Sequence, residues 1–216
     1  MLFPFRASAS ALAFLLVSGC GLVHGTASHA QPTPPLAGVE IVSRAEWSAA
    51  APTMSMAPQT PSALTIHHTA VVQRPDLAPE AKMRALQAFS VSSDTLGDGR
   101  AKAPWADVPY HFYVASDGTI LEGRSVYAEG DTNTGYDLHG MVQIVLEGNF
   151  MEEAPGPAQV RSLLALARAL AARYGMGPET VTGHRDHPGR VETLCPGDAL
   201  EALLPDVRAA VASARG

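Results

Sequence analysis

Only two of the 216 residues are cysteines, Cys20 and Cys195. That excludes a disulfide-stapled scaffold and leaves each thiol to be explained singly. Basic runs are also missing: Lys plus Arg number 15 against 21 for Asp plus Glu, a net charge of −6. A nucleic-acid partner held through its phosphates is therefore not expected. Charged residues are 17% and aromatics 6%, yet hydrophobic residues reach 46%, which rules out a disordered or fibrous chain. What remains is one globular domain of ordinary size with a core to bury.

The apolar run Ala11 to Val17 is too short to cross a bilayer and follows a head carrying Arg6, the layout of an export signal. Val17-Ser18-Gly19-Cys20 resembles a bacterial lipobox, in which Cys20 is lipidated and becomes the first mature residue. A plain secretory peptide cut near Ala27 or Ala30 is the alternative. Gly21, rather than Asp, after the cysteine resembles outer-membrane sorting in a Gram-negative envelope. Residues 20–37 carry Gln31-Pro32-Thr33-Pro34-Pro35 and read as a flexible, semi-extended tether, with His24 and His29 as solvated spacers.

From Ile41 onward, strand and helix periodicities interleave without internal repeats. Ala63 to His68 reads as a buried strand, Pro79 to Phe89 as a helix, and residues 93–104 as a polar loop. Strands at 110–114 and 119–122 flank Ser116-Asp117-Gly118, a hairpin signal. Met141 to Glu147 is another strand. Pro157 opens the clearest helix, with Gly175 just past its end, and Val181-Thr182 is a short strand. A last helix over 198–214 is interrupted or restarted at Pro205. The economical fold is α/β: a single domain with a central mixed β-sheet flanked by helices.

The chemistry gathers at strand ends. His67-His68-Thr69 leaves one apolar run and Gly183-His184-Arg185-Asp186 another, while Cys195 sits before a helix start in Thr193-Leu194-Cys195-Pro196-Gly197. The helix end is expected to lower the pKa of the thiol and favour thiolate. Two imidazoles, one thiolate and an open fourth position suit catalytic zinc. Spacing alone leaves a second reading open, two unrelated histidines and a buried structural thiol.

Eight blocks in order narrow the choice: Ser43-Arg44-Ala45-Glu46-Trp47, Ile66-His67-His68-Thr69-Ala70, Trp105 to Phe112, Asp117-Gly118, Glu122-Gly123-Arg124, Leu146 to Phe150, Gly183 to Asp186, and Thr193 to Gly197. Over roughly 41–210 the chain resembles the peptidoglycan recognition protein and type 2 amidase family. The resemblance implies a zinc (Zn2+) N-acetylmuramoyl-L-alanine amidase domain over 38–216. It would cut the amide between the lactyl group of muramic acid and the first L-Ala of the stem peptide. It carries the zinc ligands onto His67, His184 and Cys195 and the catalytic tyrosine onto Tyr110, which would donate to the oxyanion.

Departures from the pattern matter. Thr193 stands where phage-type amidases have lysine and could hydrogen-bond to a substrate carbonyl; Val145 stands where cytosolic recycling amidases carry a glutamate. Thr132, in Gly130-Asp131-Thr132-Asn133-Thr134-Gly135, replaces the histidine of the usual Gly-Ala-His-Thr. Members that only bind peptidoglycan have the cysteine replaced, so Cys195 favours the enzyme over a non-catalytic binding lipoprotein; a zinc peptidase acting inside the stem peptide is the remaining alternative. The implied partners are peptidoglycan or muropeptides, and the membrane through the Cys20 anchor, with the domain monomeric. His68, His111 and His187 are expected to be structural, Arg124, Arg185 and Asp186 to orient loops, and Trp47 and Trp105 to pack, with Trp105 also near enough to line the groove.

The lipobox makes a direct prediction. Mass spectrometry of the mature protein should find a lipid-modified Cys20 at its N-terminus, with partition into detergent; an unmodified N-terminus beyond Cys20 would remove the anchor.

Overall fold

A computed structural model describes residues 31–97, 99–189 and 192–215. Cys20, with the signal segment and most of the expected tether, lies outside the described residues. Elements follow in the order β1 (Ala63–His68), α1 (Pro79–Val91), β2 (Asp94–Thr95), β3 (Ala101–Lys102), β4 (Phe112–Val114), β5 (Ile120–Glu122), β6 (Met141–Leu146), α2 (Pro157–Tyr174), β7 (Val181–Gly183), α3 (Asp198–Glu201) and α4 (Leu204–Ala212). The main sheet has strand order β5-β4-β6-β1-β7. Within this sheet β4 and β5 pair antiparallel, while β4, β6, β1 and β7 pair in parallel.

Alternation of side chains across the strands gives the sheet two unlike faces. Leu64, Ile66, Val142, Ile144 and Val114 meet Leu163, Leu166 and Leu170 of α2 and Val207 and Val211 of α4 in one large core. At about 1.5–3 kcal/mol for each fully buried aliphatic side chain, this layer supplies most of the driving force. On the opposite face Tyr113 and Val145 pack with Trp47, Met83 of α1, Val108 and Leu121. That second core covers only the β5-β4-β6 side, and the rest of the face is left to the polar side chains of β1.

Local signals explain the boundaries. Pro157 starts α2 and Gly175 ends it at φ +71°, where its N–H donates to Ala171 O. Leu204 opens α4 with Pro205 in its first turn, so the expected last helix is split into α3 and α4. The expected polar loop 93–104 instead holds a small antiparallel hairpin of β2 and β3. Lys102 organises it: the side chain is buried, and Nζ donates to Ser90 O, Ser92 O and Ala103 O at 2.7, 2.9 and 3.1 Å. The last tether residues are also packed, since Val126 N–H donates to Thr33 Oγ1 and Leu36 joins the large core.

One buried ion pair ties three segments together at the end of β6. Lys82 Nζ donates to both oxygens of Glu147, at 2.8 and 2.7 Å, and the same carboxylate accepts the N–H groups of Arg74 and Ser116. Burial pushes the Glu147 carboxyl up, but these hydrogen bonds outweigh it and hold the group below its ordinary value. A depressed folded value means the contribution is present above 4.5 and is lost as the pH falls through the acid range below it. Glu147→Ala strands the Lys82 charge and should cost about 3 kcal/mol, read as a lower urea midpoint at neutral pH. An unchanged midpoint would show that the pair contributes nothing.

Candidate metal centre and groove

Parallel register brings the two expected histidines together. Ile66 of β1 pairs with Gly183, the last residue of β7, so His67 in β1 and His184, the first residue of the turn that follows β7, come side by side, and their ring centroids lie 4.6 Å apart. Cys195 is returned to the same point by its loop: Arg185 N–H donates to Cys195 O at 2.8 Å, and His68 N–H donates to Cys195 Sγ at 3.4 Å. The ligand-capable atoms of His67, His184 and Cys195 all lie within 4.8 Å of one another. All three residues are buried, at 2%, 9% and 9% exposure.

Burial sets their protonation. It lowers His67 well below the usual imidazole value, reinforced by His184, and lowers His184 to about 4, reinforced by His187. Both rings are therefore neutral near pH 7. Burial also pushes the Cys195 thiol up to about 12. The expectation of a thiolate made by the helix end is not met: the groups that lower the thiol are the His68 N–H and Arg185 rather than the four-residue α3, and desolvation outweighs them. A cation between the three groups would remove that thiol proton.

The donor set fits such a cation. The Nδ1 of His67 faces Cys195 Sγ at 3.6 Å. The Nε2 of His184 is engaged by Thr134 Oγ1 at 2.8 Å, which leaves Nδ1 for an ion. Two neutral imidazoles and one soft sulfur, tightly grouped, match a tetrahedral zinc centre with one position open.

These residues form part of a groove of about 540 Å³ whose lining includes Trp105, Tyr110, Thr132, Thr193 and Leu194. The Tyr110 ring lies 5.2 Å from that of His67. Its backbone is fixed by Gly123: a side chain there would put its Cβ 2.2 Å from Tyr110 O. Burial, with Cys195 as the next cause, raises the Tyr110 hydroxyl above its usual value, so it stays a hydrogen-bond donor. The oxygen of Thr193 accepts the Cys195 N–H at 3.2 Å at the groove's rim. Trp105 lines the groove and is backed by Lys102, 4.5 Å from its ring centroid.

The other conspicuous side chains are structural. His68 turns to the opposite face, where its Nδ1 accepts Phe150 N–H. The Nδ1 of buried His111 accepts Gln143 N–H at 2.8 Å, and its Nε2 lies 2.9 Å from Ala128 O. His187 Nε2 lies 2.9 Å from Thr182 Oγ1, and its ring stacks on Tyr136 at 4.5 Å. Arg185 pairs with Asp198, Asp186 accepts Gly183 N–H, and Arg124 binds Val108 O and Asp131. Trp47 is buried, with its indole N–H on Glu122 O. Sequence reasoning missed Thr134 behind His184; no periodicity marks it, because the contact spans 50 residues.

Comparisons with known proteins agree with this geometry. A family model described as N-acetylmuramoyl-L-alanine amidase matches residues 57–198. The chain is 37% identical over 146 residues to an N-acetylmuramoyl-L-alanine amidase of Sus scrofa, covering 65% of this chain and 22% of that one. It thus spans about a fifth of the length of that relative. The crystal structure of Drosophila peptidoglycan recognition protein SD superposes with a TM-score of 0.63 at 29% identity, covering 77% of this chain and 93% of that one. A mutant of Drosophila PGRP-LB, solved in complex with tracheal cytotoxin, gives a TM-score of 0.60 at 26% identity over 75% and 90% of the two chains. With a matching sheet and a histidine–histidine–cysteine cluster on it, the chain belongs to the N-acetylmuramoyl-L-alanine amidase family, which it shares with the peptidoglycan recognition proteins.

Proposed function

We propose that the chain is a zinc-dependent amidase that hydrolyses the lactyl–L-Ala amide of peptidoglycan. The proposal includes lipidation at Cys20 after removal of residues 1–19, and a catalytic domain that acts from the cell envelope, on the outer membrane if the host is Gram-negative. The observation that carries the enzymatic reading is the buried His67–His184–Cys195 cluster on the floor of an open groove with Tyr110 beside it. Bound there, zinc would supply Lewis-acid polarisation of the amide carbonyl and an activated water. The complex of a relative with tracheal cytotoxin, a monomeric diaminopimelic acid-type peptidoglycan, supports the substrate class.

The chain's own residues do the rest. His67 and His184, held neutral, present lone pairs, and Cys195 gives up its proton on metal uptake, so affinity for zinc should rise by about tenfold per pH unit around neutrality. Tyr110 keeps its proton and donates it in a hydrogen bond to the oxyanion that develops on the carbonyl. Thr193, at the rim, would hydrogen-bond to a substrate carbonyl. Because Gln31, Thr33 and Leu36 are held on the domain, the reach from Cys20 is set by residues 20–30, about 34 Å at most at ~3.1 Å per residue. That is shorter than the full 20–37 tether would allow.

Digestion of purified peptidoglycan by the zinc-loaded protein, with the new ends identified by mass spectrometry, tests the reading. Free L-Ala amino termini on intact glycan strands are expected; internal peptide cuts would mean a peptidase, and no new ends a binder. Cys195→Ser removes the soft, ionisable donor, so zinc content and turnover should collapse together while peptidoglycan binding persists. A variant with stoichiometric zinc and full turnover would show that Cys195 is not a ligand. Tyr110→Phe should keep zinc and fold but lower kcat by about 10²–10³, with KM little changed; full turnover would remove Tyr110 from the mechanism.

A further inference from the structure

Behind His184 runs a short chain of hydroxyls that leads back to the groove. The Nε2 of His184 lies 2.8 Å from Thr134 Oγ1, inside the protein. Thr134 Oγ1 lies 2.8 Å from Thr132 Oγ1, which also accepts Thr134 N–H at 3.2 Å. Thr134 is buried at 7% exposure, whereas Thr132 is half-buried and both residues contribute to the groove wall. Arg100 holds the same loop by donating to Asn133 O at 3.1 Å.

Hydrogen-bond arithmetic gives this chain one direction. If Nδ1 of His184 faces the ion, Nε2 carries the ring proton and donates to Thr134 Oγ1. The single hydroxyl proton of Thr134 then goes to Thr132 Oγ1, the acceptor at 2.8 Å. Thr132 Oγ1 now accepts two hydrogen bonds, from the hydroxyl and the N–H of Thr134, which uses both of its lone pairs. Its own proton is left for the groove. A cation held at His184 would strengthen each donor along such a chain by polarisation.

We propose that Thr134 is a positioning residue for His184, and that through it Thr132 is presented to the groove as an obligate hydrogen-bond donor for an acceptor oxygen of the bound muropeptide. The inference rests on the proposed metal role of His184. It assigns Thr132 a role opposite to that of an acceptor: the site favours a carbonyl, carboxylate or ether oxygen at this point of the wall and disfavours an ammonium or amide N–H.

The test measures zinc affinity by chelator competition and steady-state kinetics on a soluble monomeric muropeptide. Thr134→Val, nearly equal in shape, should lower zinc affinity about 10–100-fold. Thr134→Ser should restore it to within a few-fold, because the hydroxyl is kept. If Thr134→Val fails to fold, Thr134→Ala takes its place with the same expectation. Thr132→Val should hold zinc with nearly normal affinity and lose about 5–10-fold in KM rather than in kcat, the loss of one neutral hydrogen bond. The proposal is overturned if Thr134→Val binds zinc as tightly as the natural protein, if Thr134→Ser is as weak as Thr134→Val, or if Thr132→Val leaves KM unaltered. A natural protein that takes up no zinc would sink the functional reading itself along with this one.

Discussion

Everything at the site depends on burying three uncharged, metal-capable side chains at one point of a parallel sheet. A lone buried thiol and two adjacent imidazoles are a poor way to build a core, since they bring polar atoms into a layer where Leu or Val would pack better. Their burial has a chemical return. Desolvation keeps His67 and His184 unprotonated, with lone pairs available, and holds Cys195 as a thiol. The same dryness raises Tyr110 and preserves its hydroxyl as a donor. One physical cause thus sets the state of all four groups.

The two faces of the sheet divide the work. Aliphatic packing against α2 and α4 on one side is dense enough to carry the fold. The other face is only half covered, by Trp47, Met83 and their neighbours, and the uncovered half is where β1 offers His67. Loops around that opening are fixed by buried charges rather than by apolar contact: Lys102 caps three carbonyls behind Trp105, and Arg124 binds Val108 O and Asp131. Such groups cost desolvation but define one loop conformation when every donor is satisfied.

The departures from the family pattern gain meaning from the structure. Val145, where a carboxylate stands in the cytosolic recycling enzymes, belongs to the apolar cluster with Tyr113 and Trp47, so no general base comes from that strand. Thr132 replaces a histidine and is joined to Thr134, whose hydroxyl meets the back of His184. Thr193 offers a hydroxyl in place of an ammonium and spends its oxygen on the Cys195 N–H.

The sequence by itself determined most of the elements and the three residues of the candidate metal cluster. Short apolar runs marked β1 and β6, Pro157 and Gly175 bracketed α2, and Asp117-Gly118 marked the β4–β5 hairpin, because these signals are local. His67, His184 and Cys195 were legible only through the ordered motif blocks, since spacing alone admitted unrelated residues. Tertiary structure decided what depends on distant neighbours. It raised the Cys195 thiol against the expected helix effect, turned the polar loop around Lys102 into a hairpin, drew Leu36 out of the tether into the core, and set Thr134 behind a histidine 50 positions away. Burial and electrostatic environment are properties of the packed chain, and no local pattern of residue types encodes them.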